Sequence, residues 1–184
     1  MSVTNNKSTS RTPQKPSKIL ALSGGVGGAK LALGLAHVVA SEQLTIVANT
    51  ADDFTHLGLS ISPDLDTVMY TLADLNNKEL GWGLANESWQ AMDALEKLGG
   101  ETWFRLGDRD LATHLERSQR LAAGESLSSV TAYLCQRLGL EPTLLPMSDD
   151  PVRTYVKTPP ADPAFHEHFL REPRHPPARR PSLD

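Results

Sequence analysis

A single cysteine, Cys135, in 184 residues excludes an internal disulfide framework and leaves no pair of thiolates for a structural zinc site. A reducing cytoplasm is the setting this fits. Positive charge is also scarce: 18 Lys and Arg against 22 Asp and Glu give a net charge of −4 and a pI near 5.8. Nucleic-acid binding by phosphate neutralisation needs clustered Lys and Arg, so no nucleic-acid partner is expected and any phosphate must be met by local geometry. No apolar run approaches the ~20 residues of a membrane span, and Met1 to Ser17 lacks the apolar stretch of a signal peptide. No membrane partner is expected, and no internal repeat is visible.

Hydrophobic residues make up 39% of the chain, enough for one core if periodically placed. Residues 1–17 are polar and Pro-containing and read as a disordered leader. Lys18 to Leu22 is a short apolar run that breaks into SGGVGGAK, after which Leu31, Leu35, Val38 and Val39 recur at helical spacing. Leu44 to Ala48 is a β-branched run ending at Asn49, at the distance a parallel return requires. Strand, glycine loop, helix and strand predict an α/β fold with a parallel sheet.

After a polar loop, Pro63 and the N-cap candidate Asp64 precede a helical face of Leu65, Val68, Met69 and Leu72. Further helices are predicted from about Glu87 to Leu98, from Asp108 to Gly124 and from Ser126 to Gly139. Pro142 to Met147 and Thr154 to Thr158 read as short strands around the acidic turn SDDP. Residues 159–184 are dense in Pro, Arg and His and read as a tail.

Five segments could carry chemistry. The loop Ser23 to Lys30, with Gly24, Gly25, Gly27 and Gly28, joins a strand to a helix, where backbone N–H groups and the helix dipole favour a phosphate. It lacks both the third glycine of a dinucleotide fingerprint and the Gly-Lys-Ser/Thr of a Walker loop; the bland alternative is a tight turn with a solvated Lys30. Asn49 to Asp53 lies at the carboxyl edge of the second strand, where open α/β sheets place ligands; Asp52 and Asp53 could bind a metal or merely solvate a loop. Asp64 and Asp66, two apart, point to different sides: as cap and surface acid on the plain reading, or with one carboxylate aimed at a hydroxyl nucleophile on the sharper one. Arg105 to Asp110 concentrates charge, with Arg105 and Arg109 suited to phosphate and Asp108 placed to hold one of them. His114 reads as a packing or hydrogen-bonding residue, and Asp149 with Asp150 as a turn or a second acidic site.

Taken in order, SGGVGGAK, NTADD, ISPDLDTVMYTLA, GWGLANESW, GETWFRLGDRDLATH and LPMSDDPVRTYV resemble the 2-phospho-L-lactate transferase family over about residues 18–158, with FHEHFLR at Phe165 to Arg171 a weaker match. The resemblance implies a Rossmann-like, usually dimeric α/β enzyme of coenzyme F-420 biosynthesis. Such enzymes move a phospholactyl or phosphoenolpyruvyl group from a guanosine-diphosphate-linked donor to the deazaflavin FO, releasing GMP. It implies Asp66 and Arg105 as deazaflavin contacts, with Asp66 as the catalytic carboxylate. Gly24, Gly25, Gly27, Gly28, Lys30 and Asn49 become donor surroundings, and Asp52, Asp53, Asp149 and Asp150 possible ligands of Mg2+. Family chains run much longer than this match, so an incomplete sheet that binds without turnover is expected. The alternative is a UDP-sugar-binding regulatory protein of the gluconeogenesis-factor type, which shares a glycine loop and a neighbouring Asp-Asp. A nicotinamide oxidoreductase ranks last, for want of the third glycine and a ribose-binding acid at Asn49.

Overall fold

The computed structural model describes residues 17–156 and the short strand Pro181–Leu183. The leader proper and the weaker match at Phe165 to Arg171 lie outside these residues.

β1 (Ile19–Ser23) and β2 (Leu44–Ala48) pair in parallel, Ile19 opposite Leu44 and Ser23 opposite Ala48. β5 (Thr143–Pro146) joins the other side of β2, also in parallel, giving the order β1-β2-β5. α1 (Gly25–Val38), α2 (Pro63–Leu72) and α5 (Leu127–Arg137) build the core against this sheet: Ala21, Ile46, Ala48 and Leu144 meet Ala29, Ala32, Leu65, Val68, Met69 and Val130. The parallel α/β expectation is met.

Of the stripe read from large residues on α1, Leu35 and Val39 pack against the core, but Leu31 and Val38 do not. Val38 is 81% exposed, while Ala29 and Ala32 are buried. The helix lies so close to β1 that a Cβ on Gly28 would stand 2.4 Å from Ser23 Oγ, and only small side chains fit there. On the sheet's opposite face Leu22 is 75% exposed and Leu20 64%. Among the described residues nothing covers that face, although parallel sheets are normally buried on both sides.

The segment expected as a polar loop folds into a hairpin, β3 (Phe54–His56) and β4 (Leu59–Ile61), turned by Leu57 and Gly58, both at positive φ. Consecutive positive φ values give the turn that matches strand twist. The hairpin supports a second core of Phe54, Ile61, Met92 and Leu106. α3 (Gln90–Lys97) starts three residues later than predicted, because Glu87 and Ser88 are occupied in a joint with α4 (Asp108–Ala122). The Asp108 carboxylate accepts from Ser88 Oγ and from the Gln90 and Ala91 amides, while Glu87 accepts from the Arg109 and Asp110 amides. Each acid caps the helix introduced by the other. Asp108 therefore does not hold an arginine.

Ser126 caps α5 as the sequence suggests. β6 (Thr154–Val156) pairs antiparallel with β7 (Pro181–Leu183), so three residues of the predicted tail form strand. Among the described residues no helix is long and apolar enough to cross a membrane.

Candidate active site

The glycines expected in a loop before the helix form its first turn. Gly25 is the first residue of α1, at positive φ, and its amide donates 2.8 Å to Asp64 Oδ1. Asn49, just beyond β2, donates from Nδ2 to Asp64 Oδ2 at 2.9 Å and to Asp52 Oδ2 at 3.3 Å. The Asp64 carboxylate thus ties the end of β2 and the start of α1 to the first turn of α2. Asp64 is not the helix cap that spacing suggested; its carboxylate faces the glycine turn. Burial, and then the neighbouring Asp64 charge, raises the Asp52 carboxyl. Two carboxylates joined through a single amide make a site short of positive charge, with hard oxygen ligands suited to Mg2+. Lys30 is exposed in the second turn. At Gly27 an added Cβ would meet nothing within 4 Å.

Beyond Asp52 and Asp64 opens a cavity of about 510 Å³. Phe54, Trp82, Trp89, Trp103 and Phe104 supply its walls, so all three tryptophans of the sequence line it. Phe54 and Phe104 meet edge to face at 5.1 Å. Arg105 stands at the rim, 5.5 Å over the Trp89 ring and paired with Asp93 at 2.5 Å.

The cavity floor is polar and buried. Asp66 is 6% exposed, which overturns the plain reading of a surface acid. Both its oxygens accept from Arg117, a guanidinium fully enclosed between α2 and α4. Burial works against that charge, and Asp66 outweighs it to raise the Arg117 pKa. His114 Nδ1 lies 3.2 Å from Arg117 and its Nε2 3.3 Å from Asp110 Oδ2. Tyr70 donates its hydroxyl to Asp110 Oδ1 at 2.6 Å. Burial raises the Tyr70 phenol well above its ordinary value. Burial alone would raise the Asp110 carboxyl too, but hydrogen bonds from His114 and Tyr70 outweigh it and leave it lowered. Among the described residues Asp66, Asp110 and His114 are the one trio close enough to share a metal, and the Arg117 guanidinium already serves Asp66 there.

The four acids proposed for a metal fall on two sides. Asp52 faces the large cavity, whereas Asp53, Asp149 and Asp150 line a separate one of about 220 Å³ with Thr50, Ser62 and Arg153. Asp53 accepts from Ser62 Oγ at 2.6 Å, its Oδ1 is buried without a partner, and burial pushes its carboxyl up to about 7. Asp149 accepts from the Ser128 amide at the start of α5.

Sequence reasoning missed Arg117, Tyr70 and the tryptophan walls. One signal was available: Asp110, His114 and Arg117 recur at i, i+4 and i+7, a polar stripe on one face of α4.

A family model described as 2-phospho-L-lactate transferase CofD matches residues 19–181. A phosphoenolpyruvate transferase of Kitasatospora aureofaciens is 51% identical over 142 residues, covering 76% of this chain and 44% of that protein. A 2-phospho-L-lactate transferase of Methanosarcina acetivorans is 44% identical over 140 residues, covering 76% and 46%. The chain thus spans less than half the length of these relatives. In fold it is similar to a crystal structure of a UPF0052 family member from Bacillus halodurans, with a TM-score of 0.55 at 15% identity, over 92% of this chain and 52% of that one.

Proposed function

The chain belongs to the 2-phospho-L-lactate transferase family, and on that footing we propose that it carries the acceptor-binding half of a transferase moving a phospholactyl or phosphoenolpyruvyl group from a guanosine-diphosphate-linked donor to the deazaflavin FO. The carrying observation is the aromatic cavity, closed at one end by carboxylates and opening beside the glycine turn. A flat tricycle stacks between Trp82, Trp89, Trp103 and Phe104, gaining both apolar burial and ring geometry. Arg105, cationic at the rim, meets its oxygenated edge.

In the reaction an acceptor hydroxyl attacks the phosphorus that carries the GMP group, one P–O bond forms, the P–O bond to GMP breaks, and GMP departs. Positioning and electrostatics supply most of the catalysis for such a transfer. Asp66, held from behind by Arg117, accepts the hydroxyl's hydrogen bond and then its proton as the oxygen bonds to phosphorus. The first turn of α1 offers backbone N–H groups to the donor phosphate, with Gly27 leaving room for close approach. Asn49 sets the positions of Asp52 and Asp64, which would hold Mg2+, the ion that neutralises phosphate charge when bound. Asp53, Asp149 and Asp150, around the smaller cavity at the strand ends, offer acceptors to the N–H edge of guanine.

The test is a fluorescence titration of the full chain with FO. Saturable quenching, lost when Trp82 and Trp103 are both changed to Leu, is the expected result. Absence of quenching, with calorimetry showing no heat, would remove the acceptor assignment.

A further inference from the structure

We infer that Arg117 is the positioning residue of the large cavity, fixing the Asp66 carboxylate and the His114 tautomer together so that the floor offers lone pairs and no free donor; this rests on the acceptor-site reading above.

The argument starts from what a guanidinium can do. It has five N–H donors and no acceptor, so any ring nitrogen hydrogen-bonded to it must be unprotonated. Arg117 Nη1 lies 3.2 Å from His114 Nδ1. The ring proton is therefore on Nε2, which is buried 3.3 Å from Asp110 Oδ2. Asp110 Oδ1 takes the Tyr70 hydroxyl proton. On the other side, Nη1 and Nη2 donate to the two Asp66 oxygens, and Nη1 also lies 3.4 Å from the Ser60 carbonyl.

Donation thus runs outward from one buried cation to both ends of the floor. The O–H of Tyr70 is spent within the chain and the N–H of His114 is buried against Asp110, so neither is offered to a ligand, while Asp66 and Asp110 line the cavity with their remaining lone pairs. Two carboxylates against one guanidinium leave the floor one unit negative. A ligand end that donates, such as a hydroxyl or a ring N–H, is welcome there, and a phosphate is repelled. The floor accordingly selects the unphosphorylated acceptor over its phosphate ester. Lysine cannot replace arginine, because a single ammonium on a flexible stem cannot serve Asp66 bidentately and His114 at once.

The experiment uses the full chain labelled with 15N-histidine, the His114 signal being identified by its loss in His114→Gln. At neutral pH the wild type is expected to show His114 protonated on Nε2 alone. A proton on Nδ1, or on both nitrogens, overturns the inference without any variant having to fold. Arg117→Lys is expected to lose that single-tautomer pattern, to weaken FO binding roughly tenfold, and to narrow the preference for FO over its phosphate monoester. A folded Arg117→Lys chain, checked by circular dichroism, with tautomer and Kd unchanged also overturns it. FO binding with the wrong tautomer defeats the positioning role, whereas the right tautomer without FO binding defeats the acceptor reading.

Discussion

Gly27 gives a test in which stability and binding move in opposite directions. It sits in the first turn of α1, and a Cβ there would meet no protein atom within 4 Å. Replacing a helical glycine by alanine removes unfolded-chain freedom and stabilises by about 0.5–1 kcal/mol. For a chain of this length that raises Tm by about 1–4 °C. If a donor phosphate rests on this turn, the added methyl occupies its approach, and a tenfold loss of GDP affinity, about 1.4 kcal/mol, is expected. Gly28→Ala is the control, because its Cβ would stand 2.4 Å from Ser23 Oγ and 3.0 Å from Ser23 Cα, which is backbone and cannot swing away. That variant should lose about 1–3 kcal/mol of stability. Calorimetry with GDP and thermal denaturation in one buffer read both quantities. A stabilised Gly27→Ala chain that binds GDP as well as the wild type would refute the phosphate role of the turn.

Asp66→Asn leaves Arg117 buried without its counter-charge and should cost about 3–5 kcal/mol in urea denaturation together with FO binding, whereas Asp74→Asn, an exposed pair with Lys78 beyond the end of α2, should change little. Equal losses would discount Asp66. Asp53 is raised from 3.8 to about 7 on folding, so the native state binds the extra proton and stability should fall as pH rises from about 4 to about 7, then level off. Denaturation midpoints with chelator present should show that slope in the wild type and lose most of it in Asp53→Asn; an unchanged slope would place the titrating group elsewhere. Leu22→Glu, on the uncovered sheet face, should leave the fold intact and reduce concentration-dependent association in light scattering, whereas unchanged association would show that this face is not the adhesive one.

Much of the architecture was legible because it rests on period and punctuation. The apolar runs at Leu44 and Thr143 and the apolar stripe after Pro63 state their elements directly. The hairpin at Phe54 was not legible, since three-residue strands are too short to show alternation and Leu57 carries the first positive φ of its turn without glycine. Of the candidate site, Asp66 and Arg105 were singled out by motif, and both line the large cavity. Arg117 was missed because a lone arginine amid helical charges looks solvated, and its enclosure depends on an acid 51 residues earlier. The tryptophans were missed for a related reason: Trp82, Trp89 and Trp103 lie outside the regular helices, and only the tertiary fold gathers them around one space.

The reciprocal caps of Glu87 and Asp108 have a consequence for motion. Neither α3 nor α4 can begin without the loop that precedes the other, and a Cβ on Gly107 would stand 2.2 Å from Glu87 Cδ, leaving the joint no slack. Trp89, inside that joint, and Arg105, just outside it, both line the cavity. Their segment therefore opens as a single cooperative unit: the amides of Gln90, Ala91, Arg109 and Asp110 should exchange with deuterium at one shared opening free energy, and a ligand stacked on Trp89 should slow all four together. Exchange that slowed only at Gln90 and Ala91 would show the two helix starts opening separately.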